Sequence, residues 1–224
     1  MMEKQTKQIN KVAVLGAGVM GSGIAAHLSN AGIPSLLFDI VLEEDKSSTD
    51  PQVRNRLSIL GKKKALEARP AALYSKKDAA LISIGNVEDD MGRLSEVDWI
   101  IEVVVENLKI KQDLFARVEK FRKPGTIITS NTSGVSIKGM TEGRSKEFKE
   151  HFLVTHFFNP VRYMKLLEII PGSETRKDIV SQIVSFGQDV LGKGIVYGKD
   201  TPNFIANRIG VYSMMLAIKT MIAD

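Results

Sequence analysis

The sequence has no cysteine, one tryptophan, three histidines and only 6% aromatic residues. Without thiols it has neither a disulfide framework nor a thiolate metal site, and this fits a reducing compartment. Long hydrophobic runs are missing as well. A membrane-spanning helix needs about 20 consecutive apolar residues, and the nearest approach, 204–223, is interrupted by Asn207, Arg208 and Lys219. The leading "MMEKQTKQIN" is polar and lacks the apolar core of a signal peptide. With no internal repeat and no low-complexity linker, the expectation is a cytoplasmic globular protein.

What is present is ordinary for such a chain: 224 residues, 43% of them hydrophobic, with a mean hydropathy of -0.04. That length holds one large domain, or one domain and part of another. The net charge of +5 comes partly from two clusters, Lys62-Lys63-Lys64 and Lys76-Lys77. Neither is interleaved with aromatics, so a solvated helix face is the first reading, a phosphate-bearing ligand the second, and nucleic acid the last.

Apolar periodicity orders the rest. "KVAVL" (11–15), "SLLFD" (35–39), "ALISIGN" (80–86), "VDWIIEVVV" (97–105), "TIITS" (126–130), "FLVTHFF" (152–158), "KLLEII" (165–170) and "GIVYG" (194–198) read as strands. Helices are expected over 19–32, 107–121 and 173–191, after Pro202, and as one or two exposed helices within 41–92. This alternation predicts an α/β fold, a doubly wound, mostly parallel sheet over residues 1–200. Residues 201–224, whose apolar helix has nothing left to pack on, are expected to open a truncated C-terminal helical domain.

"GAGVMG" (16–21) is a G-x-G-x-x-G placed between a strand and a helix. In that setting Gly16 permits a tight turn, Gly18 lets backbone approach a pyrophosphate, and Gly21 lets helix and strand pack closely. Asp39 closes the following strand, where a carboxylate accepts hydrogen bonds from an adenosine ribose and repels a 2′-phosphate. NAD is therefore the expected cofactor. Two further charges interrupt buried runs: His156 in "FLVTHFF" and Glu168 in "KLLEII". Burying such groups is costly unless they are paired or used.

Together "KVAVLGAGVMGSGIA", "IIEVVVENLKIKQDLF", "SNTSG", "HFFNPVRYMKLLEII" and "DTPNFIANRIG" resemble the L-3-hydroxyacyl-CoA dehydrogenase family, over Lys11 to about Gly210. The resemblance implies a Rossmann-type domain followed by a helical domain that completes the active site and makes a homodimer. It also implies NAD-dependent oxidation of a 3-hydroxyacyl-CoA to the 3-ketoacyl-CoA in fatty-acid β-oxidation. His156 then corresponds to the base, Glu168 to its orienting partner, and Ser133 and Asn207 to residues near the reacting oxygen. Val19 and Met20 of the glycine loop, Glu106, Lys111 and Asn131 correspond to positions at the cofactor, as Ser133 also does. Asn159 shapes the loop behind His156, and Lys63, within 62–64, falls near the CoA phosphates.

The chain departs from the family in having "NTSG" where a second serine is common and "TPN" where "TPG" is common. Two other functions are compatible with the residues. One is a dehydrogenase of a small free 3-hydroxy acid; the other is an NAD-binding module without catalysis.

Overall fold

The computed structural model describes residues 8–223; the polar leader 1–7 and Asp224 lie outside the described residues. Eight strands form one sheet in the order β3-β2-β1-β4-β5-β6-β7-β8. In chain order the elements are β1 (Val12–Leu15), α1 (Val19–Asn30), β2 (Ser35–Asp39), α2 (Pro51–Arg54), α3 (Arg56–Glu67), β3 (Ile82–Asn86), β4 (Trp99–Glu102), α4 (Leu108–Phe121) and β5 (Ile127–Ser130). There follow α5 (Ile137–Met140), α6 (Lys146–Glu150), β6 (Phe152–Phe157), β7 (Leu166–Pro171), α7 (Lys177–Ser185), β8 (Gly194–Tyr197) and α8 (Ala206–Ala223). All strand pairs are parallel except β6–β7. The expected doubly wound sheet is what forms.

Strand alternation divides the core into two layers. Val12, Val14, Trp99, Ile101 and Ile127 face α1 and α7 through Ile24, Leu28, Ile179 and Ile183. Ala13, Leu15, Ile100, Ile128 and Val154 face α4 and α6 through Phe115, Val118 and Phe148. Both faces are covered, which is why the strand sequences read as unbroken apolar runs.

Three expectations shift. The strand expected to reach Val105 stops at Glu102, because its own carboxylate binds Val104 N at 2.7 Å and the chain turns across the glycine loop. The stretch 41–92 is not one or two simple helices. It holds α2 and α3, with short 3-10 turns at Glu43–Asp45, Lys76–Leu81 and Met91–Glu96. Pro51 starts α2 beneath an Asp50 cap, and only Ser58, Gly61 and Ala65 of α3 are buried. The helix expected from 173 begins at Lys177, because Thr175 Oγ1 accepts from Gly172 N and donates to Phe152 O, pinning a turn. It leaves α geometry as a π turn at Phe186–Val190.

The final helix stands off the core, with Tyr212, Met214, Met215, Met221 and Ile222 exposed. Before it, Asn203 has φ 63° and Phe204 φ 42°. Asn is among the few non-glycine residues that enter this left-handed region readily, which accounts for its tolerance at the "TPN" turn. Among the described residues no helix is long and apolar enough to cross a membrane.

Candidate active site

The sheet reverses its winding between β1 and β4, and a crevice opens there at the carboxyl ends of the strands. Gly16 has φ 111°, and a Cβ on it would sit 2.6 Å from Val103 O. A Cβ on Gly21 would lie 1.8 Å from Gly16 O, so α1 can meet the turn only as glycine. Gly18, by contrast, has nothing within 4 Å of a built Cβ. It is the N-cap of α1 and supplies no capping side chain, so the helix N-terminus faces open space with its N–H groups and positive dipole end free for an anion.

Asp39 accepts from Ala17 N at 2.6 Å and Ile40 N at 2.7 Å, which fixes the carboxylate at the rim. A cleft of about 480 Å³ runs past Gly16, Gly18, Asp39, Val87, Val104 and Ile110. An open glycine cradle, a bare helix terminus and a fixed carboxylate beside an apolar slot suit the pyrophosphate, ribose and adenine of NAD. On the other flank of α1 a second cleft of about 310 Å³ is lined by Val19, Ser22, Lys64, Arg69, Asn159 and Arg162.

Three residues before Asn159 of the second cleft, near the end of β6, stands His156. It lies directly opposite Glu168 in the antiparallel β6–β7 ladder, a register in which side chains share a face. Nδ1 is 2.7 Å from Glu168 Oε2, and both residues are buried. Glu168 Oε1 accepts from Ile205 N at 3.1 Å and Ala206 N at 2.8 Å. The carboxylate therefore meets only donors, which makes Nδ1 the protonated nitrogen and leaves the Nε2 lone pair free. Nε2 is 3.3 Å from Ser133 Oγ, and Phe158 and Phe204 wall the ring at centroid distances of 4.5 and 5.6 Å.

Ser133 is held from behind. Glu106 accepts from Ser133 N at 2.5 Å and from Thr132 Oγ1 at 2.8 Å, and its Oε2 lies 3.4 Å from Lys111 Nζ. Asn131 Oδ1 accepts from Phe157 N at 2.8 Å, which ties the loop to β6. Six of the sequence-selected residues, His156, Glu168, Ser133, Glu106, Lys111 and Asn131, thus fall in one cluster. Asn207 is half-buried on the first turn of α8, next to Ala206. Met20 packs against the core from α1, and Lys63 points to solvent, 4.0 Å from Glu67. The lysine on the second cleft is Lys64.

Sequence reasoning passed over Glu102, the fully buried last residue of β4. Its signal was the one used for His156 and Glu168, an ionisable residue inside a strand-like apolar run. Lys111, 1% exposed, donates to it at 2.7 Å. Burial pushes the Glu102 carboxyl up from its ordinary range, against Lys111, Ser130 and Val104 N, which hold it down.

The chain is similar to known proteins along nearly its whole length. The family described as 3-hydroxyacyl-CoA dehydrogenase, NAD binding domain, matches residues 11–201. A probable 3-hydroxyacyl-CoA dehydrogenase of Bacillus subtilis is 57% identical over 96% of this chain and 28% of its own length. One from Deinococcus radiodurans is 48% identical over 96% of this chain and 60% of its own. The chain thus spans less than two thirds of these relatives. The crystal structure of (S)-3-hydroxybutyryl-CoA dehydrogenase from Ralstonia eutropha superposes with a TM-score of 0.69 at 30% identity, covering 90% of this chain and 68% of that one. With the glycine cradle, Asp39 and the buried histidine in place, the chain belongs to the 3-hydroxyacyl-CoA dehydrogenase family, whose NAD-binding domain it carries.

Proposed function

We propose that the protein carrying this domain oxidises L-3-hydroxyacyl-CoA to 3-ketoacyl-CoA reversibly, as a step of fatty-acid β-oxidation, with His156 as the base. The observation that carries the reading is the Glu168–His156–Ser133 line, 2.7 Å and then 3.3 Å. NAD, when bound along Gly16, Gly18 and Asp39, supplies a hydride acceptor for substrate C3. In the oxidation His156 Nε2 takes the proton of the 3-hydroxyl while Ser133 Oγ hydrogen-bonds the same oxygen. Glu168 holds Nδ1–H and stabilises the imidazolium that results. In the reverse direction the imidazolium returns the proton.

Lys64 and Arg69 on the second cleft supply cationic groups suited to a phosphate-bearing substrate such as a CoA ester. Asn207 is proposed to reach the substrate oxygen from α8. The exposed apolar residues of α8 support its reading as the opening helix of a second, helical domain that carries the homodimer contact.

The test is NADH oxidation with acetoacetyl-CoA or free acetoacetate, in wild type and His156→Gln. The expected result is turnover of the thioester alone and a loss of roughly 100-fold or more in the variant. Turnover of the free acid alone, or an unaffected His156→Gln, would overturn the reading.

A further inference from the structure

We propose that Glu102, a residue that touches neither cleft, is the buried positioning residue that sets Ser133 against His156. Two separate routes lead from its carboxylate to the loop Asn131–Gly134. In the first, Ser130 Oγ donates to Glu102 Oε2 at 2.5 Å and accepts from Thr132 N at 3.2 Å, which fixes both the direction of the hydroxyl and the start of the loop. In the second, Glu102 Oε1 holds Lys111 Nζ at 2.7 Å. Lys111 also faces Glu106 Oε2 at 3.4 Å, and Glu106 in turn accepts from Thr132 Oγ1 and Ser133 N. Asn131 N adds a backbone bond to Glu102 O at 2.8 Å.

A buried ion pair between a strand end and a helix is weak as a means of stability, since well-packed apolar side chains of similar volume serve as well. Here the pair does something that apolar residues could not do. Lys111 stands between two carboxylates, and Glu102, the shorter contact and the fully buried one, keeps the ammonium from closing on Glu106. Glu106 is thereby left with its oxygens free to accept from Thr132 and Ser133. Without the charge at Glu102, Lys111 turns wholly to Glu106 and draws it away from the Ser133 amide, and the hydroxyl 3.3 Å from His156 Nε2 loses its anchor.

Glu102→Gln keeps the shape and removes the charge. In ¹⁵N-labelled chain the Ser133 and Thr132 amide resonances are expected to move toward the positions of unbonded amides. A variant that melts lower yet leaves both resonances in place would make Glu102 structural only and overturn the proposal. Should Glu102→Gln not fold, Glu102→Asp withdraws the charge by one methylene; a smaller shift of the same two resonances is expected, and their identity with wild type overturns it.

The effect on turnover rests on the functional reading: kcat with acetoacetyl-CoA is expected to fall about tenfold or more. Shifted resonances in a protein whose wild type binds NADH but never reduces acetoacetyl-CoA would sink the functional reading and support the role of Glu102. Wild-type kcat despite shifted resonances would overturn the claim that Glu102 acts on catalysis through Ser133.

Discussion

Glu168 faces His156 across the β6–β7 ladder and divides its two oxygens between them, Oε2 to His156 Nδ1 and Oε1 to the backbone of Ile205 and Ala206 at the start of α8. The residue that orients the base therefore also caps the final helix, where a negative charge complements the helix dipole. Glu168→Gln cannot serve both roles, because its amide nitrogen accepts nothing. The expected outcome is a kcat lowered by roughly 100-fold, accompanied by faster hydrogen exchange at the Ile205 and Ala206 amides. Lowered activity with unchanged exchange would show that the carbonyl oxygen stays on the two amides and the amide nitrogen faces His156, whereas wild-type kcat would remove Glu168 as the orienting partner.

The glycine loop gives a prediction that separates folding from binding. Gly21→Ala would force a methyl within 1.8 Å of Gly16 O, an overpacking that costs about 3 kcal/mol and lowers Tm by roughly 6–12 °C. Gly18→Ala meets nothing within 4 Å and its φ of -66° suits alanine, so stability stays within about 1 kcal/mol of wild type. The new methyl stands where the pyrophosphate must approach, and NADH affinity is expected to fall by about tenfold, or 1.4 kcal/mol. Calorimetry on both variants checks this; a Gly18→Ala chain with native NADH affinity would place the dinucleotide elsewhere.

The sheet was legible because its strands are buried on both faces, and burial writes itself as apolar runs such as "KVAVL" and "TIITS". The histidine and its carboxylate were legible as charges in those runs, although their direct opposition needed the register of β6 on β7. Less could be read where local rules compete. β4 ends at Glu102 because its own side chain captures Val104 N two residues on, a local bond with no periodic signature. The region 41–92 has prolines, short turns and a helix with just three buried residues, so its pattern carries little amplitude. Glu102 was missed for a different reason: it stood inside a run read as one strand through Val105, and its partner Lys111 lies on the next helix.

His27 sets a pH dependence. It sits buried on α1 with Nε2 3.1 Å from Leu191 O, while Nδ1 lacks a hydrogen-bond partner. Burial, with Lys193 close by, lowers its pKa from 6.5 to about 4. The unfolded chain takes up a proton near 6.5, and the folded chain holds out until about 4. Stability from this group is therefore complete above pH 6.5, falls as pH drops from there to about 4, and changes no further below that. The shift corresponds to at most about 3 kcal/mol. Carboxylates held low by cationic partners, such as Asp89 by Arg54 and Glu147 by Arg122, lose their contributions in a more acidic window, below the ordinary carboxylate range. His27→Gln keeps a donor for Leu191 O and cannot titrate. Its Tm is expected to stay nearly level between pH 6.5 and 5, where that of wild type declines, and parallel curves over this interval would remove His27 as the cause.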